Sequence, residues 1–167
     1  MKFLIVAALV ALSLANDNIK IDNSGNEGGS VSQNVNINNQ NNIATVNSLD
    51  GWKSWDSICD YGRGFAATRL FQKKICVVTK INKDSFPSLA QLSAIAKDKK
   101  KPSNDNLRSY TVNQREIANI GEYGQHIESL CKGLPTYTAQ EIPVNEEGFG
   151  LCESSSIITI LGISFCF

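Results

Sequence analysis

The chain has 167 residues, 16 basic and 16 acidic side chains, and one histidine. That length supports one domain with additional segments, enough to bury a core of ordinary size. A net charge of zero leaves no broad basic field for nucleic acid, and the lone His126 excludes a multi-histidine metal centre within one copy.

Residues 1–15 have the layout of a signal peptide: Lys2, an apolar stretch from Phe3 to Leu12, and the small-residue pattern Ser13-Leu14-Ala15. The stretch falls well short of the about 20 apolar residues that span a bilayer, so no stable membrane anchor is expected. Cleavage before Asn16 would deliver the chain to the secretory pathway. In that oxidising setting Cys59, Cys76, Cys131, Cys152 and Cys166 are disulfide candidates first. Five cysteines leave one over, and each choice of the odd one leaves three pairings of the rest.

Residues 16–50 are rich in asparagine, glycine and serine. Their few apolar residues, among them Val31, Val35, Ile37, Ile43 and Val46, are too sparse for a core, which favours a flexible extension. The alternation of Val31, Gln33, Val35 and Ile37 with polar residues offers a hairpin turning near Asn39-Gln40 as the other reading. No N-x-S/T sequon follows the signal segment.

From Trp52 to Ile81 three apolar runs are separated by Tyr61-Gly62-Arg63-Gly64 and Gln72-Lys73-Lys74. Phe65, Ala67 and Phe71 share one face of the middle run, and Ile75, Val77 and Ile81 one face of the next. This period-2 spacing predicts an antiparallel meander. Pro87 and the stripe Leu89, Leu92, Ile95, Ala96 predict a helix that Pro102 stops. The basic run Lys97–Lys101 suits the C-terminal end of that helix, a plainer reading than phosphate or acidic-lipid binding. Leu107–Val112 reads as a strand. A second helix is predicted after Asn119, with Glu122 three residues on, carrying Ile120, Ile127, Leu130 and Cys131 on one side and ending at Gly133 and Pro135. Thr136–Val144 reads as a further strand.

From Ser154 onward the chain carries no charge. Ile157, Ile158, Ile160, Leu161, Ile163 and Phe165 make a β-prone run that, left exposed, is an aggregation hazard and must be covered. Cys152 and Cys166 bracket it, and closing that loop would contribute roughly 3 kcal/mol in the chain-entropy model. No nucleophile elbow or acid–base constellation points to an enzyme, and no cofactor motif is present.

Asp60 followed by Cys76, with a helix–strand–helix leading to Cys131, resembles the BRICHOS domain. The fuller resemblance is to the gastrokine family of secreted stomach-lining proteins. It rests on Asp60-Tyr61-Gly62, Gly64-Phe65-Ala66, Thr68-Arg69-Leu70-Phe71, Lys73-Lys74, Gly133-Leu134-Pro135-Thr136-Tyr137 and Ile163-Ser164-Phe165-Cys166. It implies an α+β fold with a central, mostly antiparallel β-sheet and one helix on each face. The layout it implies is a signal peptide at 1–15, the Asn-rich extension at 16–50, a BRICHOS-like domain at 51–137 and a disulfide-closed β-prone segment at 138–167.

The resemblance further implies bridges Cys76–Cys131 and Cys152–Cys166, with Cys59 left over. It implies secretion through the Golgi and secretory granules, and a chaperone-like role on β-prone segments, the chain's own C-terminal strand included. Gastric mucosal integrity, mitogenic action on epithelium and resistance to amyloid are the associated expectations, with a structural mucus protein or a receptor-directed ligand as the alternatives. Asp60 reads from its neighbours as a turn residue. The resemblance points instead to an acid-sensing carboxylate, since burial favours the neutral form of an acid. Cys59, unusual for the family at that place, is either a buried thiol or the link to a homodimer or a trefoil-peptide heterodimer.

Overall fold

Six strands follow one another as a meander: β1 (Asp17–Ser24), β2 (Ser30–Asn38), β3 (Ile43–Leu49), β4 (Trp55–Asp60), β5 (Phe65–Leu70) and β6 (Ile75–Lys80), each antiparallel to the next. The computed structural model describes residues 17–24, 30–49, 51, 54–84, 86–98, 107–142, 157–160 and 163–166. The signal segment therefore lies outside the described residues. Helix α1 (Leu89–Asp98) follows β6, then β7 (Leu107–Glu116), a 3-10 turn (Ile120–Tyr123), α2 (Gln125–Cys131) and β8 (Thr136–Ile142). Two short strands, β9 (Ile157–Ile160) and β10 (Ile163–Cys166), complete the described chain.

All ten strands join one sheet in the order β1-β2-β3-β4-β5-β6-β8-β7-β10-β9. The two parallel contacts are β6 with β8 and β10 with β7. The α+β fold expected from the resemblance, a mostly antiparallel sheet with a helix on each side, is the fold observed.

Strand alternation sorts the side chains onto two faces. Val35, Ile37, Val46, Trp55, Cys59, Ala66, Leu70 and Val77 form one buried cluster, which Leu92 of α1 joins. Ala67, Cys76 and Val78 project the other way and bury against Ile127 and Cys131 of α2. Ala66 and Ala67, or Val77 and Val78, are sequence neighbours that serve opposite cores. The two helices thus cap opposite faces of one sheet.

The Asn-rich stretch is not a loose extension between residues 30 and 49. It forms the hairpin β2–β3, turning through residues 39–42. Asn42 takes a left-handed φ of 54°, and the Asn38 side chain accepts from the Asn41 N–H at 3.0 Å. Val35, Ile37, Ala44 and Val46 are all fully buried. A strand that packs one face needs an apolar residue only at alternate positions, so the sparse composition was sufficient.

The second predicted helix is split. Asn119 caps the 3-10 turn by accepting from Gly121 N–H at 3.2 Å. Gly124, at a φ of 109°, then breaks the backbone before α2 begins. The first helix starts two residues after Pro87. Ser88 and Gln91 exchange reciprocal bonds, Ser88 N–H to Gln91 Oε1 at 2.8 Å and Gln91 N–H to Ser88 Oγ at 3.2 Å, a capping box.

Candidate functional site

The β4–β5 turn places Asp60 beside Tyr61-Gly62. Asp60 is buried, its Oδ1 accepts the Arg63 N–H at 3.0 Å, and its carbonyl accepts from Gly64 N–H at 2.8 Å. Gly64 closes the turn at a φ of 80°. Asp60 thus does what a turn aspartate does, but from inside the fold, on the α2 face with Phe65, whose ring meets Tyr123 edge-on at 5.0 Å. Arg63 leaves the same turn and lies across Gly124 at the start of α2. Turn and helix are thereby tied together.

Cys59 points to the opposite face. Its neighbours in register are Ala44 on β3 and Ala66 on β5, and it is 3% exposed. Burial pushes its thiol up to about 12 from the ordinary 9.0, against a hydrogen bond with Ser57 that acts the other way. Tyr61 is raised as well, first by burial and then by the nearness of Cys59; its hydroxyl donates to the Pro87 carbonyl at 2.8 Å. Low exposure and a thiol kept protonated both make this sulfur a poor nucleophile. A bridge to another molecule at Cys59 requires the strands around it to open first.

Cys76 and Cys131 are joined, 55 residues apart in sequence, with their Cα atoms 5.4 Å apart. Both are fully buried. The bridge fixes α2 to β6 where β6 meets β8, since Cys76 N–H donates to the Pro135 carbonyl at 2.9 Å and Cys76 stands opposite Thr136. Cys152 lies outside the described residues, as does the side chain of Cys166, so the expected Cys152–Cys166 bridge falls there too.

The β-prone tail is placed by its backbone. Ser164, Phe165 and Cys166 run parallel to Leu107, Arg108 and Ser109 of β7, and β9 folds back antiparallel on β10. Ile157, Ile158 and Ile160 therefore sit on the outermost strand and Ile163 and Phe165 on the one inside it. Leu161 lies outside the described residues.

Phe71, expected to share a face with Phe65 and Ala67, instead lies in the turn just past the end of β5 at Leu70 and is exposed. Leu49 and Phe71 are the large apolar residues left exposed among the described ones, and the Arg69 guanidinium lies 4.9 Å over the Phe71 ring. Arg69 Nε is buried without a hydrogen-bond partner. The cation–π contact contributes about 0.5–1 kcal/mol at such an exposed site. The Arg69-Leu70-Phe71 stretch was visible, but which residues a twisted sheet leaves uncovered depends on helix placement.

The BRICHOS domain pattern matches residues 51–138. Gastrokine-1 of Homo sapiens is 43% identical over 180 aligned positions, covering 99% of this chain and 97% of the relative. The chain belongs to the gastrokine family. Gastrokine-1 of Mus musculus is 41% identical, covering 86% of this chain and 82% of the relative. Gastrokine-2 of Rattus norvegicus is 32% identical over 98% of this chain and 94% of its own length. No solved structure matches the chain. The Cys76–Cys131 bridge anticipated from the resemblance is present in the structure. Among the described residues, no helix is long and apolar enough to cross a membrane.

Proposed function

We propose that this gastrokine is a secreted protein of the stomach lining whose BRICHOS domain shields β-prone peptide, beginning with its own C-terminal segment. The supporting observation is the addition of β9 and β10 to the domain's sheet beside β7. Extended peptide is recognised by a sheet edge through main-chain hydrogen bonds. An uncharged isoleucine-rich segment held in that way is withheld from pairing with copies of itself. Family membership supports export through the Golgi and secretory granules and a part in gastric epithelial integrity, with a mitogenic effect as a further expectation. No catalytic step is assigned.

Asp60 is the acid-sensing group of this reading. It is a buried carboxylate whose side chain holds the β4–β5 turn, and Arg63 of that turn lies against the start of α2. The pH dependence of near-ultraviolet dichroism should differ between the wild type and Asp60→Asn, and identical profiles would remove Asp60 from that role.

The main test is growth of fibrils by an unrelated amyloid-forming peptide, followed by dye fluorescence with the protein at substoichiometric ratio. Slowed growth is expected. Unaffected growth together with binding to mucus components would favour a structural protein. Unaffected growth with saturable cell binding and a growth response would favour a signalling ligand.

A further inference from the structure

The parallel ladder between β6 and β8 stops before its strands do. Its last register pair is Thr79–Ala139. Beyond it β6 leans toward β5, with Ile81 N–H donating to the Gly64 carbonyl at 2.8 Å. β8 instead stays with β7 through Gln140 opposite Thr111 and Glu141 opposite Tyr110. The two strands part, and a cleft of about 580 Å³ opens between residues 80–83 and 139–141. That size lies within the roughly 300–1,000 Å³ usual for ligand pockets.

Its chemistry is mixed in a particular way. Ile81 and Ala139, each under a tenth exposed, supply an apolar floor. Lys80 and Lys83 stand exposed on the wall formed by β6 and the turn after it. Among the described residues neither lysine has a carboxylate partner, and Glu141 on the facing wall is already engaged in an interaction of its own. In β8 the backbone N–H and C=O groups of successive residues point alternately to one neighbour and the other. Some of those at Gln140–Glu141 therefore face the cleft rather than β7.

We propose that this cleft takes up an extended peptide bearing a carboxylate side chain, gripped by Lys80 and Lys83. The proposal rests on the peptide-shielding reading and names where and what the domain would hold. The gap lies between two strand ends, so a third strand entering it finds backbone partners, an apolar floor and two ammonium groups. A small anion would use only the lysines, leaving floor and edges idle. Charge complementarity selects the side chain, and the strand edges select the extended form.

The test uses the full secreted chain and a fluorescein-labelled β-prone peptide with a central Glu, together with its Gln and Lys counterparts. Anisotropy should show the Glu peptide binding at least about tenfold more tightly than the Lys peptide, the scale of one charge contact. Lys80→Glu/Lys83→Glu should reverse that order, and Ala139→Leu, which fills the floor, should weaken all three peptides. Should the double charge reversal fail to fold, Lys80→Gln/Lys83→Gln should abolish the preference alone. Equal affinity for the three peptides, or a preference unchanged in either double variant, overturns the proposal. If that happens while fibril suppression persists, shielding stands and its site is elsewhere. If the wild type neither suppresses fibrils nor binds the peptides, both readings fall.

Discussion

A Cβ placed on Gly124 would lie 2.5 Å from Cδ of Arg63 and 2.7 Å from its Nε. The glycine is needed chiefly for its φ of 109°, where side-chain-bearing residues are strained, since the exposed Arg63 side chain can swing aside at small cost. The cost of filling this point separates into two unequal parts. Gly124→Ala should destabilise by about 2–3 kcal/mol, mostly from backbone strain with a small part from the clash. Arg63→Ala should restore only the small clash portion, so the double variant should cost slightly less than the sum of the singles. Urea unfolding of the three variants measures this.

Ile37 tests whether the Asn-rich hairpin belongs to the folded body. It is fully buried opposite Ala44, which in turn stands opposite Cys59. Ile37→Ala should cost about 2–5 kcal/mol, as core truncations do. A loose extension would show almost none of that, and chemical denaturation separates the two outcomes.

Cys59 predicts an alkaline limit to stability. Its thiol has an ordinary value of 9.0 and a folded value of about 12. Between those two the unfolded chain loses the proton and the folded chain keeps it, so stability falls as pH rises. The loss approaches about 1.4 kcal/mol per pH unit inside that window and is absent below it. Cys59→Ala should flatten the difference between neutral and alkaline unfolding curves. At neutral pH the native thiol should resist alkylation until denaturant is added, and non-reducing gels of wild type and Cys59→Ser should show the same monomer band.

Breaking the Cys76–Cys131 bridge should be the costliest single change among the cysteines. A separation of 55 residues corresponds to about 4 kcal/mol in the chain-entropy description. Cys76→Ser/Cys131→Ser should lower the thermal midpoint well below that of Cys59→Ser, as calorimetry would record.

What could be read from the sequence followed from local pattern. The faces of β5 and β6 were legible because Phe65 and Ala67, or Ile75 and Val77, alternate without interruption. The Cys76–Cys131 pairing came from family likeness, since five cysteines alone leave many pairings open. The β2–β3 hairpin was harder, because asparagine-rich composition pulled against the alternation of Val35 and Ile37. Gly124 was in plain view, yet whether a glycine breaks a helix depends on the φ its surroundings require. The cleft beyond Thr79–Ala139 had no local signature, because it arises where two strands distant in sequence separate.

The meander from β1 to β6 is built of neighbours, while β8 reaches β6 only after α1, β7 and α2 have intervened. As the polypeptide leaves the ribosome, the hairpins can zip up one after another, but the parallel seam waits for Thr136 and beyond. The sulfur–sulfur link is set at the head of that seam, so oxidation acts as a latch on the last long-range closure. Without that link the closure rests on the β6–β8 ladder and the packing of α2 against the sheet alone.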